Sequence, residues 1–278
     1  MGRASILIAG TALLACAVGC TSLMNGKPLE DSIVFQPHAT PADNWAHDRG
    51  IEDAWFTTAN GSRLHGWFAE ARQPRAVVLY AHGNAENVAD LQPVLRRFRD
   101  DLNVSILVFD YQGYGRSEGT PSEAGVLADA RAARRWLADR TKVLEKDIVL
   151  AGRSLGGGVV VDLAANDGAR GLILENTFSS LPDTAASHLP LVPVRALMRT
   201  RFDSVAKIPN YRGPLLQTHG DADRVIPYAL GRKLFDAANE PKLFVSVQGG
   251  DHNDPPSREY LAALDRFIAS LPAAELTR

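Results

Sequence analysis

An α/β fold, a three-layer sandwich around a mostly parallel central sheet, follows from three features of the sequence. Short apolar runs without polar alternation recur from residue 76 onward, as strands covered on both faces require. Helical-period stretches separate them, so strand then helix repeats and right-handed βαβ crossovers result. No linker rich in Pro, Gly or Ser divides the chain after residue 50, so one domain over residues 51–278 accounts for the rest.

Composition narrows the function classes. The 278 residues are 45% hydrophobic and 22% charged, with 30 Lys and Arg against 32 Asp and Glu and a net charge of −2. That balance belongs to a globular chain, not a disordered one. It offers no basic footprint for nucleic acid. Both cysteines, Cys16 and Cys20, lie within the first twenty residues. The body can therefore hold no internal disulfide, thiolate metal site or cysteine nucleophile.

In chain order, Arg3 precedes an uncharged stretch from Ala4 to Gly26. Residues 1–19 fit a secretory signal. The small or aliphatic residues before Cys20 resemble the bacterial lipoprotein signal, in which that cysteine is acylated and becomes the new N-terminus. Cys20 is preferred because Gly19 precedes it and Thr21-Ser22 follow; Cys16 also fits the pattern. An uncleaved anchor, just long enough to span about 30 Å, and simple secretion stay open. The expectation is a lipoprotein of the bacterial cell envelope, held to the membrane on its periplasmic face. Residues 20–50, with Pro28, Pro37 and Pro41 around Ile33-Val34-Phe35, read as a tether and a segment lying against the domain.

The body opens with a hairpin, 54–58 and 63–70, around the turn pair Asn60-Gly61. Strands are predicted at 76–81, 104–109, 148–151, 171–174, 215–218 and 243–247. The clearest helix is 123–140, with Val126, Leu127, Ala130, Ala133 and Leu137 on one face. A short cap is predicted at about 176–210.

Ligands of such sheets bind at the carboxyl ends of the strands. There, Gly152-Arg153-Ser154-Leu155-Gly156 lies between a strand and a helix. Gly-x-Ser-x-Gly alone is a weak signal. In this context it forms a nucleophile elbow, whose sharp turn leaves no room for side chains two residues either side of Ser154. The alternative is a glycine-rich helix start packed on the sheet. A serine hydroxyl needs a base oriented by an acid. Of seven histidines, His252 follows the last apolar run, where the base belongs in this chain order. His82 and His219 also end strands and read as loop-shaping; His38, His47, His65 and His188 lack such a context. Asp223 is the preferred acid, because Val225-Ile226 after it starts the next packed helix; Asp221 is the fallback. Asp251 and Asp254 read as loop caps. The oxyanion hole needs two backbone N–H groups, assigned to Leu155 and Asn84, with Gly83 permitting close approach.

These motifs resemble the α/β-hydrolases over roughly residues 50–271. The likeness is greatest to the branch with the bud-emergence-type hydrolases and the eukaryotic enzymes that strip palmitate from proteins. It rests on His82-Gly-Asn-Ala-Glu-Asn87, Asp110-Tyr-x-Gly113-Tyr-Gly115-x-Ser117, Gly-Arg-Ser154-Leu-Gly, His219-Gly-x-x-Asp223 and Gly-x-x-His252-Asn-Asp. The resemblance implies Ser154 as nucleophile, Asp223 as acid and His252 as base, with acyl transfer to water and neither cofactor nor metal. It gives the loop from Asp110 to Ser117 a shaping role. Expected substrates are small-molecule or lipid acyl esters or thioesters; an exported protein would not meet the palmitoylated cytoplasmic substrates of that branch. A peptidase of the same fold and a non-catalytic binding lipoprotein are the alternatives. In the cap, Leu181, Leu189, Leu191, Val192, Val194, Leu197, Met198 and Phe202 either form an acyl pocket or pack the cap on the body. Arg195, Arg199 and Arg201 face either anionic lipid or solvent.

Overall fold

The computed structural model describes residues 23–24, 27–37 and 45–274; the expected signal, with Cys16 and Cys20, lies outside them. Eight strands form one sheet: β1 (Ile51–Thr57), β2 (Arg63–Ala69), β3 (Val77–Ala81), β4 (Ser105–Phe109), β5 (Val149–Arg153), β6 (Gly171–Glu175), β7 (Leu215–Gly220) and β8 (Lys242–Val247). Their spatial order is β8-β7-β6-β5-β3-β4-β2-β1. β2 runs antiparallel to both neighbours and every other pairing is parallel. This is the α/β-hydrolase arrangement that the motifs imply.

Helices α1 (Leu29–Val34), α2 (Gln92–Arg96), α3 (Glu123–Thr141), α4 (Leu155–Asp167), α5 (Leu181–His188), α6 (Val194–Leu197), α7 (Ser204–Lys207), α8 (Tyr228–Ala237) and α9 (Arg258–Ser270) join these strands, and a two-residue ribbon pairs Leu23–Met24 with Lys27–Pro28. No helix among the described residues is long and apolar enough to cross a membrane. Alternate residues of a strand point to opposite faces. Val77, Leu79 and Ala81 therefore join the core under α3 and α4, while Val78 and Tyr80 join the core under α2 and α9. Continuous apolar runs arise because both faces are covered.

Four strands depart from expectation, β1 starting three residues before 54 and β7 running two past Thr218. β5 runs two residues past Ala151 because its ladder with β6 continues to the Arg153–Glu175 pair, although Gly152 and Arg153 interrupt the apolar run. β8 is not covered on both faces; only Val245 is buried, since the strand closes an edge of the sheet.

His65, which has no functional context in the sequence, is fully buried between Asp53, 2.7 Å from its Nε2, and Asp110, 3.1 Å from its Nδ1. Asp110 also accepts from the Val88 N–H at 2.9 Å, so its loop has the shaping role implied by the resemblance. The segment after the tether does lie against the body. Phe35 is buried in the core beside Phe202, with ring centroids 6.3 Å apart.

Candidate active site

Ser154 stands at the junction of β5 and α4 with φ 51° and ψ −118°, outside the comfortable region for an L-residue. Its surroundings hold it there. The Ser154 N–H donates to the Glu175 carbonyl at 3.0 Å, and its own carbonyl accepts from Thr177 Oγ1 at 2.8 Å. The turn closes only because its flanks lack side chains. A Cβ on Gly156 would lie 2.0 Å from the Ala81 carbonyl oxygen, and one on Gly152 would lie 2.3 Å from that of Gly156.

The loop after β3 abuts this elbow: a Cβ on Gly83 would sit 3.5 Å from the Ser154 Cβ. Asn84 follows, and its side chain faces away from the site into a clasp. Asn84 Oδ1 accepts from the Gln36 N–H at 3.0 Å and from Tyr114 OH at 2.6 Å, while Asn84 Nδ2 donates to the Val34 carbonyl at 2.7 Å. The segment after α1 thus pins the loop that carries the Asn84 amide. Leu155 is the first residue of α4, where N–H groups have no intrahelical acceptor and the helix dipole favours negative charge.

Asp223 and His252 meet across two further loops. His252 Nδ1 lies 2.8 Å from Asp223 Oδ2, and both residues are largely buried. Asp223 Oδ1 accepts from the N–H groups of Val225 and Ile226, each at 2.8 Å. His219 Nε2 is 3.3 Å from Oδ2 and 2.9 Å from the Ile226 carbonyl. Burial works to raise the Asp223 pKa, but hydrogen bonds from His219, His252 and the Ile226 N–H outweigh it. The carboxyl is held well below its usual range and stays ionised. Asp221 is not part of this contact; its Oδ1 accepts from the Gly249 N–H at 2.6 Å. Asp251 and Asp254 cap the histidine loop, Asp251 accepting from the His252 N–H and Asp254 from the Asp251 N–H, each at 2.8 Å.

Sequence reasoning missed the Arg153–Glu86 pair. Arg153 Nη1 donates to Glu86 Oε1 at 2.7 Å, and Glu86 Oε2 accepts from the Gly83 N–H at 2.8 Å. Arg153 Nη2 donates to the His252 carbonyl at 2.9 Å and to Asn253 Oδ1 at 2.8 Å. One guanidinium therefore joins the elbow, the loop after β3 and the histidine loop. Asn176 Nδ2 adds a second donor to the His252 carbonyl, at 2.9 Å. The available signal was a charged residue ending an apolar strand, with a carboxylate three residues after Gly83.

A cavity of about 340 Å³ is lined by Arg153 together with Tyr80, Glu86, Glu175, Asn253 and Tyr260, but not by Ser154, Asp223 or His252. Glu175 accepts there from Tyr80 OH at 2.8 Å and Tyr260 OH at 2.5 Å. The cap's apolar residues mostly pack on one another: Leu189, Val194 and Met198 form a small core with Val34, Leu181 and Val192, and Phe202 enters the main core. His188 Nε2, 2.8 Å from the Val225 carbonyl, ties the cap to the acid loop. No cluster of His, Cys, Asp and Glu suited to a metal ion occurs among the described residues.

Comparison with known proteins gives a consistent setting. The family described as serine aminopeptidase, S33, matches residues 72–207, which take in the loop after β3 and the elbow. An uncharacterized protein of Mycobacterium tuberculosis is 37% identical over 221 residues, covering 78% of each chain. An α/β hydrolase domain-containing protein of Arabidopsis thaliana, WAV2, is 34% identical over 225 residues, covering 73% of this chain and 72% of its own. Among solved structures, a Pyrococcus furiosus esterase superposes with a TM-score of 0.69 at 17% identity, covering 86% of this chain and 97% of its own. At that identity the likeness concerns the fold alone.

Proposed function

The chain belongs to the α/β-hydrolase superfamily, and from that premise we propose that it is a serine hydrolase cleaving carboxylic esters or thioesters through an acyl-enzyme. The observation that carries this is the 2.8 Å contact between His252 Nδ1 and Asp223 Oδ2, in a loop tied to Arg153, the residue before Ser154. With Nδ1–H donated to the carboxylate, Nε2 is left as the acceptor for the serine proton. Ser154 Oγ attacks the acyl carbon and its proton passes to His252 Nε2. The tetrahedral oxyanion then rests on the N–H groups of Asn84 and Leu155, where each donor is worth about 10²–10³ in rate. Collapse breaks the bond to the alcohol or thiol, which leaves with the proton from His252. Water, deprotonated by the same imidazole, releases the acid and restores Ser154.

A p-nitrophenyl ester series of rising acyl length, run on wild type and Ser154→Ala, tests this. A loss of about four orders of magnitude or more in kcat is expected for the variant. Equal rates, or a fluorophosphonate probe that fails to label Ser154, would overturn serine catalysis and favour a binding scaffold. Peptidase activity is the alternative favoured by the matched family's description as serine aminopeptidase. Faster turnover of aminoacyl p-nitroanilides than of any ester would establish it.

We also propose that Cys20 is acylated and holds the enzyme at the bacterial envelope. The uncharged stretch before it and the small residues at Ala17 and Gly19 support this. Mass spectrometry of the membrane-fraction protein should find an acylated N-terminal Cys20; an unmodified Met1 would refute it.

A further inference from the structure

We infer that the outer face of the cap is a docking surface for an anionic phospholipid bilayer, so that ester substrate is taken from the membrane itself; this rests on the anchored-hydrolase proposal above. Four large hydrophobic residues are exposed among those described: Leu191 at 97%, Val225 at 41%, Leu197 at 40% and Leu243 at 46%. Leu191 and Leu197 belong to the cap, and Val225 belongs to the loop that His188 contacts at 2.8 Å. The other apolar cap residues are consumed by the cap's own small core or, for Phe202, by the main core, whereas these are left outside.

Charge identifies the occupant. From His188 to Phe202 the chain carries Arg195, Arg199 and Arg201 and neither Asp nor Glu. The three arginines are exposed. Arg195 pairs with Asp183 at 2.7 Å, yet two thirds of its side chain, 66%, remains open to solvent. Leucines flanked by arginines suit the headgroup boundary, where apolar side chains enter the acyl region and guanidinium groups meet lipid phosphate.

The path of the chain orients this face. Glu30 Oε1 of α1 accepts from the N–H groups of Arg199 and Thr200 at 2.8 and 2.7 Å, so the segment that follows the tether is fastened to the cap. Eight residues separate Cys20 from Leu29, and Leu23–Met24 folds back antiparallel on Lys27–Pro28, so the stretch between them falls short of full extension. An anchor at Cys20 therefore brings the cap to the bilayer, whereas Leu243 lies near the start of β8, at the opposite end of the sheet from the site.

The test uses the full chain reconstituted in vesicles of phosphatidylethanolamine and phosphatidylglycerol. An environment-sensitive fluorescent amino acid is placed at position 191 and, in a second preparation, at position 243. Docking predicts a blue shift and protection from iodide quenching at 191 alone, both weakened when phosphatidylcholine replaces phosphatidylglycerol. A probe at 191 that stays in water, or equal shifts at both positions, would overturn it. So would a shift at 191 that needs no vesicles and grows with protein concentration, which would assign the face to a second copy of the chain. Hydrolysis of soluble p-nitrophenyl acetate by the same preparations, and its loss in Ser154→Ala, reports the hydrolase proposal separately.

Discussion

Ser154 keeps a left-handed backbone at a cost of about 1–3 kcal/mol, which its neighbours must offset. Two bare glycines make this possible, and Gly156 is the tighter. With its would-be Cβ 2.0 Å from a backbone oxygen, Gly156→Ala is expected to destabilise the fold by about 3 kcal/mol, measured by urea unfolding. The two carboxylates of the acid loop separate just as sharply. Asp223→Asn should leave the fold intact but lower kcat about 10⁴-fold, because an amide does not enforce the imidazole tautomer. Asp221→Asn, whose amide Oδ1 still accepts from the Gly249 N–H, should leave kcat unchanged in the same ester assay.

The cap and the clasp are fastened to the body by polar contacts as well as by Phe202 and Phe35. Asp183, in α5, accepts from Lys233 of α8, from Arg195 and from Ser179. Burial opposes its charge, but these partners prevail and lower its pKa to about 2. A depressed carboxyl pKa contributes stability that is present above the unfolded value, near 4, and is lost as pH falls toward 2. Hydrogen exchange in Leu181–His188 should therefore accelerate between about pH 4 and 2, and Asp183→Asn should remove that dependence. The clasp at Asn84 obeys the same logic without titration. Asn84→Ala strands the Val34 carbonyl and leaves the Gln36 N–H with Tyr114 OH alone. A loss of about 1–3 kcal/mol is expected, seen as faster exchange over Leu29–Val34 and as a lower kcat from the loosened oxyanion loop.

Across the whole molecule, the sheet was legible in the sequence because double coverage leaves an unbroken apolar run. Leu79 and Tyr80, on opposite cores, show why alternation was absent. The elbow, Asp223 and His252 were legible because each follows such a run at a strand's carboxyl end. Three features were not. The edge position of β8 depends on spatial order, which no local pattern records. The pairing of Arg153 with Glu86 spans 67 residues, and each side chain alone resembles an ordinary solvated charge. The cap's apolar residues carried no mark of whether they faced a substrate or one another. Arg153→Met should expose what the missed pair does: all three loops lose a partner, and a stability loss of about 1–3 kcal/mol should accompany a fall in kcat.

That shared guanidinium has a statistical consequence. The loop after β3 and the loop of His252 share one side chain, so molecules with one in place and the other adrift should be rare. Under mild denaturant the surviving activity would then count intact enzymes working at full speed, not a uniform ensemble slowed in proportion. Active-site titration should fall in step with the rate, and turnover per titrated site should stay constant.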